Sequence, residues 1–158
     1  AEMVTSLDRY DRLHRKDFGL DARLNISLAR TFNARDYIKA QRVRTHLIES
    51  MQTAFRDVNA IITPTTAITA PLIRLDAQPD GESDLTALTE IMRFATVANL
   101  TGHPAISFPA GYDPKNLPIG IQAIGRPWEE HVLLRLAYAA GNITKRKPPE
   151  VLYKPLAM

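Results

Sequence analysis

Cysteine is absent from these 158 residues, which excludes a disulfide framework, a thiolate nucleophile and any cysteine zinc site. No apolar run approaches the ~20 residues that a membrane-spanning helix needs. The opening Ala1-Glu2-Met3-Val4 has neither a basic leader nor a long apolar stretch, so no secretory signal is expected here. Histidine is sparse: His14, His46, His103 and His131 stand in no H-x-x-x-H or H-E-x-x-H spacing, and no metal site is expected. No glycine leads into a Lys-Ser or Lys-Thr pair, and Gly120 and Gly125 lie too far apart for a dinucleotide fingerprint. No cofactor is expected. Internal repeats and low-complexity stretches are also missing.

Serine chemistry is thin as well. Ser6, Ser27, Ser50, Ser83 and Ser107 are the whole supply, and none sits in a G-x-S-x-G elbow. His103 and Ser107 are four apart with Pro104 between them, which reads as a strand. Alternation would place them on one face some ~13 Å apart, too far for a catalytic pair. Asp80-Gly81-Glu82-Ser83-Asp84 lacks the full calcium-loop spacing and reads as an exposed turn. The sequons at Asn25, Asn99 and Asn142 are expected to be chance occurrences.

What is present is ordinary globular material: 45% apolar and 23% charged residues, enough chain for one domain. The net charge of +3 conceals a division of +3 over residues 1–60, −4 over 61–113 and +4 over 114–158. The basic Arg9, Arg12, Arg15 and Lys16 alternate with Asp8, Asp11 and Asp17, a solvated mixed-charge face. Nucleic acid is therefore not an expected partner.

Periodicity predicts a helix over 2–15, a break at 16–19, and a second helical segment carrying Leu20, Leu24, Leu28 and Phe32. Asn33 caps a third helix with Asp36 three residues on, and Ala40, Val43, Leu47, Ile48, Met51 and Phe55 form its stripe. Residues 58–62 read as a buried strand that ends in a Thr63-Pro64-Thr65-Thr66 loop. A loop over 67–83 follows, then a helix capped by Ser83 or Asp84 whose apolar positions run from Leu85 to Ala98. Two strand-like pieces, 104–109 and 117–125, flank turn residues 111–116, and a last helix spans about 129–143. The layout is α/β with few strands. Four or five helices carry more apolar surface than three strands can cover, so a larger sheet is expected to be missing.

Four blocks then carry a resemblance. Residues Asp57 to Thr66 follow the pattern D-x-x-x-x-x-T-P-T, and Asn99 to Ser107 follow N-L-x-G-x-P-A-x-S. Leu117 to Gly125 follow G-L-P-I-G-L-Q-x-x-G, with Asn116 in place of the first glycine, and Pro127-Trp128-Glu129-Glu130 leads into a leucine-rich helix. In this order and spacing the chain resembles the amidase signature family. Met92-Arg93-Phe94, Gly111-Tyr112-Asp113 and Gly125-Arg126-Pro127-Trp128 resemble the plant-type fatty acid amide hydrolases within it.

The resemblance implies an α/β/α fold, a mixed sheet covered by helices, of which residues 1–158 form a single C-terminal segment. Residues 1–56 would be helical, 57–143 strand-loop-helix-strand-strand-helix, and 144–158 an extended tail. It also implies amide hydrolysis by a Ser–cis-Ser–Lys triad. With neither a Ser-Ser pair nor a Gly-Gly-Ser here, that triad would lie outside this chain, and no catalytic residue is assigned within it. What can carry over is substrate binding, by Leu28 and Phe32 on the second helix, Thr63 and Thr65 after the strand, and Thr89 and Met92 on the fourth helix. The implied partners are a lipophilic amide and the N-terminal catalytic part, with self-association open. The implied location is intracellular, cytoplasmic or peripheral to a membrane. A membrane surface could be met by the first helix, where Arg9, Arg12 and Arg15 oppose Met3, Leu7 and Leu13, although packing against the missing sheet is the preferred reading. Two alternatives stand beside this one: a non-catalytic remnant that binds itself or a partner, and the amidase subunit of a transfer-RNA-dependent amidotransferase.

Overall fold

In the computed structural model, which describes residues 1–73, 75 and 84–147, the chain begins as a helical arm. Helix α1 (Glu2–His14) runs through a short 3₁₀ turn into α2 (Leu20–Ala29). The two helices are joined by an ion pair between Asp11, buried to 3% exposure, and Arg30 Nη2. The chain then turns at Thr31, whose N–H donates to the Leu28 carbonyl, and α3 (Ala34–Ala54) begins. Asn33 caps α3 as expected: its side chain accepts from the N–H groups of Arg35 and Asp36, and Asp36 answers to the Asn33 N–H. The second helix thus ends before Phe32, which lies in the connection and not on a helix.

Strand β1 (Ala60–Pro64) is shifted two residues from its expected place, so Thr63 and Pro64 belong to the strand rather than to a loop. It is also an edge strand, not a buried one, and Ile62 is half-exposed. Proline is tolerated there because an edge leaves one row of backbone groups unpaired. Across the described residues the sheet is antiparallel, in the order β1-β3-β2. Strands β2 (Ala105–Tyr112) and β3 (Pro118–Gly125) form the expected hairpin, with a bulge between Pro109 and Gly111. Asn116 occupies the left-handed region at φ 61° in the turn, a conformation that asparagine accepts readily.

The expected single helix over 84–98 is two. Helix α4 (Leu85–Met92) ends at Arg93, and α5 (Ala95–Thr101) starts after Phe94. The Phe94 carbonyl accepts a hydrogen bond from Gln122 Nε2 at 3.2 Å, a long-range bond at the junction of the two helices. Asp84 caps α4, and Gly102 closes α5 at φ 75°. The acidic stretch read as an exposed turn lies outside the described residues except for Asp84. So do most of the 67–83 loop beyond Ile73 and the tail beyond Lys147.

The core is small. Met51 and Phe55 of α3, Ala98 of α5 and Ile124 of β3 pack together, with Ile61 and Val97 against them. Helix α6 (Glu130–Ile143) covers β2 and β3 through Leu133, which lies against Gly125. Many large apolar side chains stay exposed, Leu24, Leu28, Phe32, Ile62, Trp128 and Tyr138 among them. A surface of that kind is what helices and a narrow sheet present when the layer that would cover them is elsewhere. Among the described residues no helix is long and apolar enough to cross a membrane.

Candidate functional site

Three polar side chains form a row across the sheet. Thr63 and Ser107 both pair with Gln122 in the strand register, so all three share one face. Gln122 is buried, and its Nε2 donates to Thr63 Oγ1 at 3.1 Å as well as to the Phe94 carbonyl. One amide group therefore ties β1 to the α4–α5 junction that follows Met92. Thr63 donates its own hydroxyl proton to the Pro64 carbonyl at 3.0 Å.

Thr65 extends the row. Its N–H donates to the Gly120 carbonyl at 2.9 Å, and its Oγ1 lies 2.6 Å from Ser107 Oγ. A glycine is required between them: a Cβ on residue 120 would come within 2.7 Å of Thr65 Oγ1. The result is a Thr63, Gln122, Ser107 and Thr65 patch on one sheet face, beside the end of α4. Met92 closes α4 and is 40% exposed; Thr89 lies one turn back and is exposed too.

Leu28 and Phe32 are not part of this network. Both are on the helical arm, 52% and 55% exposed. Phe32, with Ala1, Asp36, Tyr37 and Ala40, edges a cleft of about 200 Å³. That is below the ~300–1,000 Å³ of a typical ligand pocket, so the cleft alone cannot enclose a long acyl chain.

Among the described residues His103 and Ser107 do not form a nucleophile–base pair. His103 precedes β2 instead of lying on it; its Nδ1 is bonded to Thr101 Oγ1 at 2.8 Å, while Ser107 bonds Thr65. Among the described residues no group of three His, Asp or Glu side chains could hold a metal.

Sequence reasoning passed over several buried groups. Gln122 interrupts the apolar run of β3, the one signal that it has a polar task. Asp11, read as part of a solvated mixed-charge face, is buried at 3% exposure, and His103, read as a strand residue, is buried ahead of β2. Asp113, expected only as turn chemistry, accepts from the N–H groups of Leu117 (2.9 Å) and Lys115 (2.8 Å) and from the Thr69 hydroxyl (3.0 Å). The Leu117 N–H foremost holds its carboxyl below the usual value of 3.8.

This is an α/β segment that leaves many large apolar side chains exposed, and its likenesses place it in a known fold. A bacterial aryl acylamidase of the amidase signature enzymes superimposes with a TM-score of 0.71 at 22% identity, covering 90% of this chain and 31% of that one. A sequence model of the Amidase family matches residues 3–134. The fatty acid amide hydrolase of Arabidopsis thaliana is 46% identical over 134 residues, 84% of this chain and 22% of that protein. One subunit of the glutamyl-tRNA(Gln) amidotransferase of Thermodesulfovibrio yellowstonii is 35% identical over 150 residues, 90% of this chain and 30% of that protein. The fold is that of the amidase signature enzymes, and the chain belongs to the amidase family. It spans less than a third of the length of each of these relatives.

Proposed function

We propose that this chain completes the fold of an enzyme that hydrolyses a fatty acyl amide, with the Ser–cis-Ser–Lys triad supplied by sequence outside these residues. The observation that carries the reading is the 46% identity to a fatty acid amide hydrolase over 84% of the chain. It is supported by the absence of any adjacent serine pair here. In this reading Met92, Thr89, Leu28 and Phe32 face the acyl chain, where their exposed apolar surface would be buried by substrate and by the triad-bearing part. Thr63 and Thr65 set the polar end of that wall. The triad-bearing part of the same enzyme is the chief partner, and the exposed side chains of the arm and of β1 are its docking surface.

The test is replacement. The matching 134 residues of the Arabidopsis thaliana enzyme are exchanged for those of this chain, and hydrolysis of long-chain and short-chain N-acyl amides is followed. The chimera is expected to hydrolyse the long-chain amide. Met92→Ala and Phe32→Ala in it are expected to raise KM for the long chain several-fold and leave the short chain unchanged. This chain alone is expected to be inactive. Turnover by the chain alone, lost on replacing Ser107 or Ser27, would overturn the reading.

A further inference from the structure

His103 is 6% exposed, and its two ring nitrogens are treated unequally. Thr101 Oγ1 donates its one proton to the Val97 carbonyl at 2.8 Å, so the His103 Nδ1 at 2.8 Å must be the donor to that oxygen. This assigns the proton to Nδ1 and leaves Nε2 as a bare lone pair. Nε2 is buried and has no hydrogen-bond partner among the described residues. The ring stacks on Phe55, with centroids 5.4 Å apart and planes 17° from parallel. Buried polar atoms are nearly always paired, so this one marks a strained point in the packing.

We propose that His103 is a pH-sensitive latch: neutral, it closes the seam between α3, α5 and the start of β2, and protonated in mildly acidic solution it loosens that seam. Taking up a proton from solvent would turn Nε2 into a second N–H with no acceptor, in a site that also excludes water. Burial accordingly pushes the imidazole below its ordinary value of 6.5.

The surroundings offer a cation little. Helix α5 and strands β1 and β3 carry no titratable side chain. Helix α3 brings Arg44, bound to the Leu100 carbonyl at 2.7 Å, and just past β3 Arg126 binds the Phe55 carbonyl at 2.6 Å. Both are cations, and Arg126 is itself paired with Glu129, whose Oε2 lies 3.7 Å from its Nη1. Beyond Phe55, Arg56 and Asp57 are exposed. Tyr112 is the one titratable group on β2 and lies at its far end. The face of Phe55 attracts a cation but supplies no acceptor for the new N–H.

The consequence reaches the sheet. Phe55 ends α3, and three residues later Val58 leads into β1, which carries Thr63. A loosened His103–Phe55 stack would free the entry of that strand. The proposal concerns the chain itself and does not depend on the amide-hydrolase reading.

Linkage sets the direction. With the folded value below 6.5, the unfolded chain binds the proton first as pH falls. Stability is complete above about 6.5 and declines below it, by up to about tenfold in the folding equilibrium constant per pH unit, until the folded value is passed.

The experiment is denaturant unfolding of the 158-residue chain in steps between pH 8 and pH 5, with His103→Phe and His103→Leu beside it, together with a ring-proton NMR titration of His103. Phenylalanine keeps the stack and cannot take a proton. Both variants are expected to lose the wild-type decline below pH 6.5, and the His103 resonance to titrate below that pH. If the variants do not fold, the NMR midpoint of the wild type decides alone. A His103 midpoint at or above 6.5, an unchanged pH slope in the variants, or no cooperative transition of the wild type at pH 8 would each overturn the proposal.

Discussion

Arg126 grips the carbonyl of Phe55 with two donors, Nε at 3.1 Å and Nη2 at 2.6 Å. Its Nη2 also reaches the Val58 carbonyl at 3.0 Å. The residue after β3 thereby satisfies the orphan carbonyl at the end of α3 and steers the chain into β1. Only a guanidinium presents donors in that fixed fork. Arg126→Lys is expected to destabilise the fold by about 1.5–3 kcal/mol, the range for losing hydrogen bonds to a charged group. Chemical denaturation at neutral pH measures it, and an unchanged midpoint would show that the fork contributes nothing.

Two glycines, Gly125 at the end of β3 and Gly141 on α6, should respond in opposite directions. A Cβ on Gly125 would lie 3.0 Å from Leu133 Cγ, with both of its methyl carbons within 3.2 Å. Leu133 is buried, so α6 would have to lift from the sheet. Gly125→Ala is expected to cost about 1–3 kcal/mol, as overpacking does. On α6 itself, Gly141 has nothing within 4 Å of the added carbon. There alanine removes a helix-breaking entropy, and Gly141→Ala is expected to stabilise by about 0.5–1 kcal/mol. Thermal unfolding of both variants distinguishes them; equal signs would contradict the packing described for α6.

The elements that could be read from the sequence are those whose signals are local. Asn33 and Asp36 announce the start of α3 because a capping box needs only four residues, and Asp113 to Asn116 announce the hairpin for the same reason. The α4–α5 break could not be read. It depends on Gln122 reaching Phe94, 28 residues away, while Leu85 to Ala98 keep a helical period throughout. Phe32 continued the spacing of Leu24 and Leu28, yet the capping box of α3 claims the chain first and leaves it in the connection. Leu24 and Leu28 keep the helical spacing of α2 but are exposed, because nothing among the described residues covers them. Family membership was legible, being written in blocks of sequence. Of the pocket positions only Thr63 and Thr65 lie in those blocks, and they are joined to Ser107 and Gln122 by contacts that no one-dimensional pattern displays.

The Asp11–Arg30 pair holds the helical arm together, and its two halves are unequal. Asp11 is 3% exposed, whereas the Arg30 side chain is 38% exposed and Arg15 Nη1 stands off at 3.9 Å. Removing Arg30 strands a buried carboxylate; removing Asp11 releases an arginine that water can solvate. Arg30→Met is therefore expected to destabilise by about 2–4 kcal/mol, toward the values for a broken buried pair, and Arg15→Met by under about 1 kcal/mol. The Asp11→Asn, Arg30→Met double variant should recover part of the loss. Urea denaturation of the three variants gives all three numbers, and an Arg15 effect as large as that of Arg30 would reverse the assignment.

Asp113 supplies an acid-side counterpart to the histidine latch. Its carboxyl is held below 3.8, first by the Leu117 N–H and then by the Thr69 hydroxyl and the Lys115 N–H. A carboxyl lowered on folding adds stability that is complete above its unfolded value and is lost as pH falls through its folded value. The hairpin turn should accordingly weaken below about pH 4, beneath the value of 6.5 at which the His103 effect sets in. Asp113→Asn keeps an acceptor oxygen for the turn but has no proton to gain. The stability difference between wild type and this variant is expected to favour wild type at about pH 6 and to shrink steadily toward about pH 2.5. Amide hydrogen exchange at Leu117 and Lys115 reports the turn directly: their protection should fall with acid in the wild type and stay nearly level in the variant. A difference that is constant across that range would mean that the carboxylate charge takes no part in holding the turn.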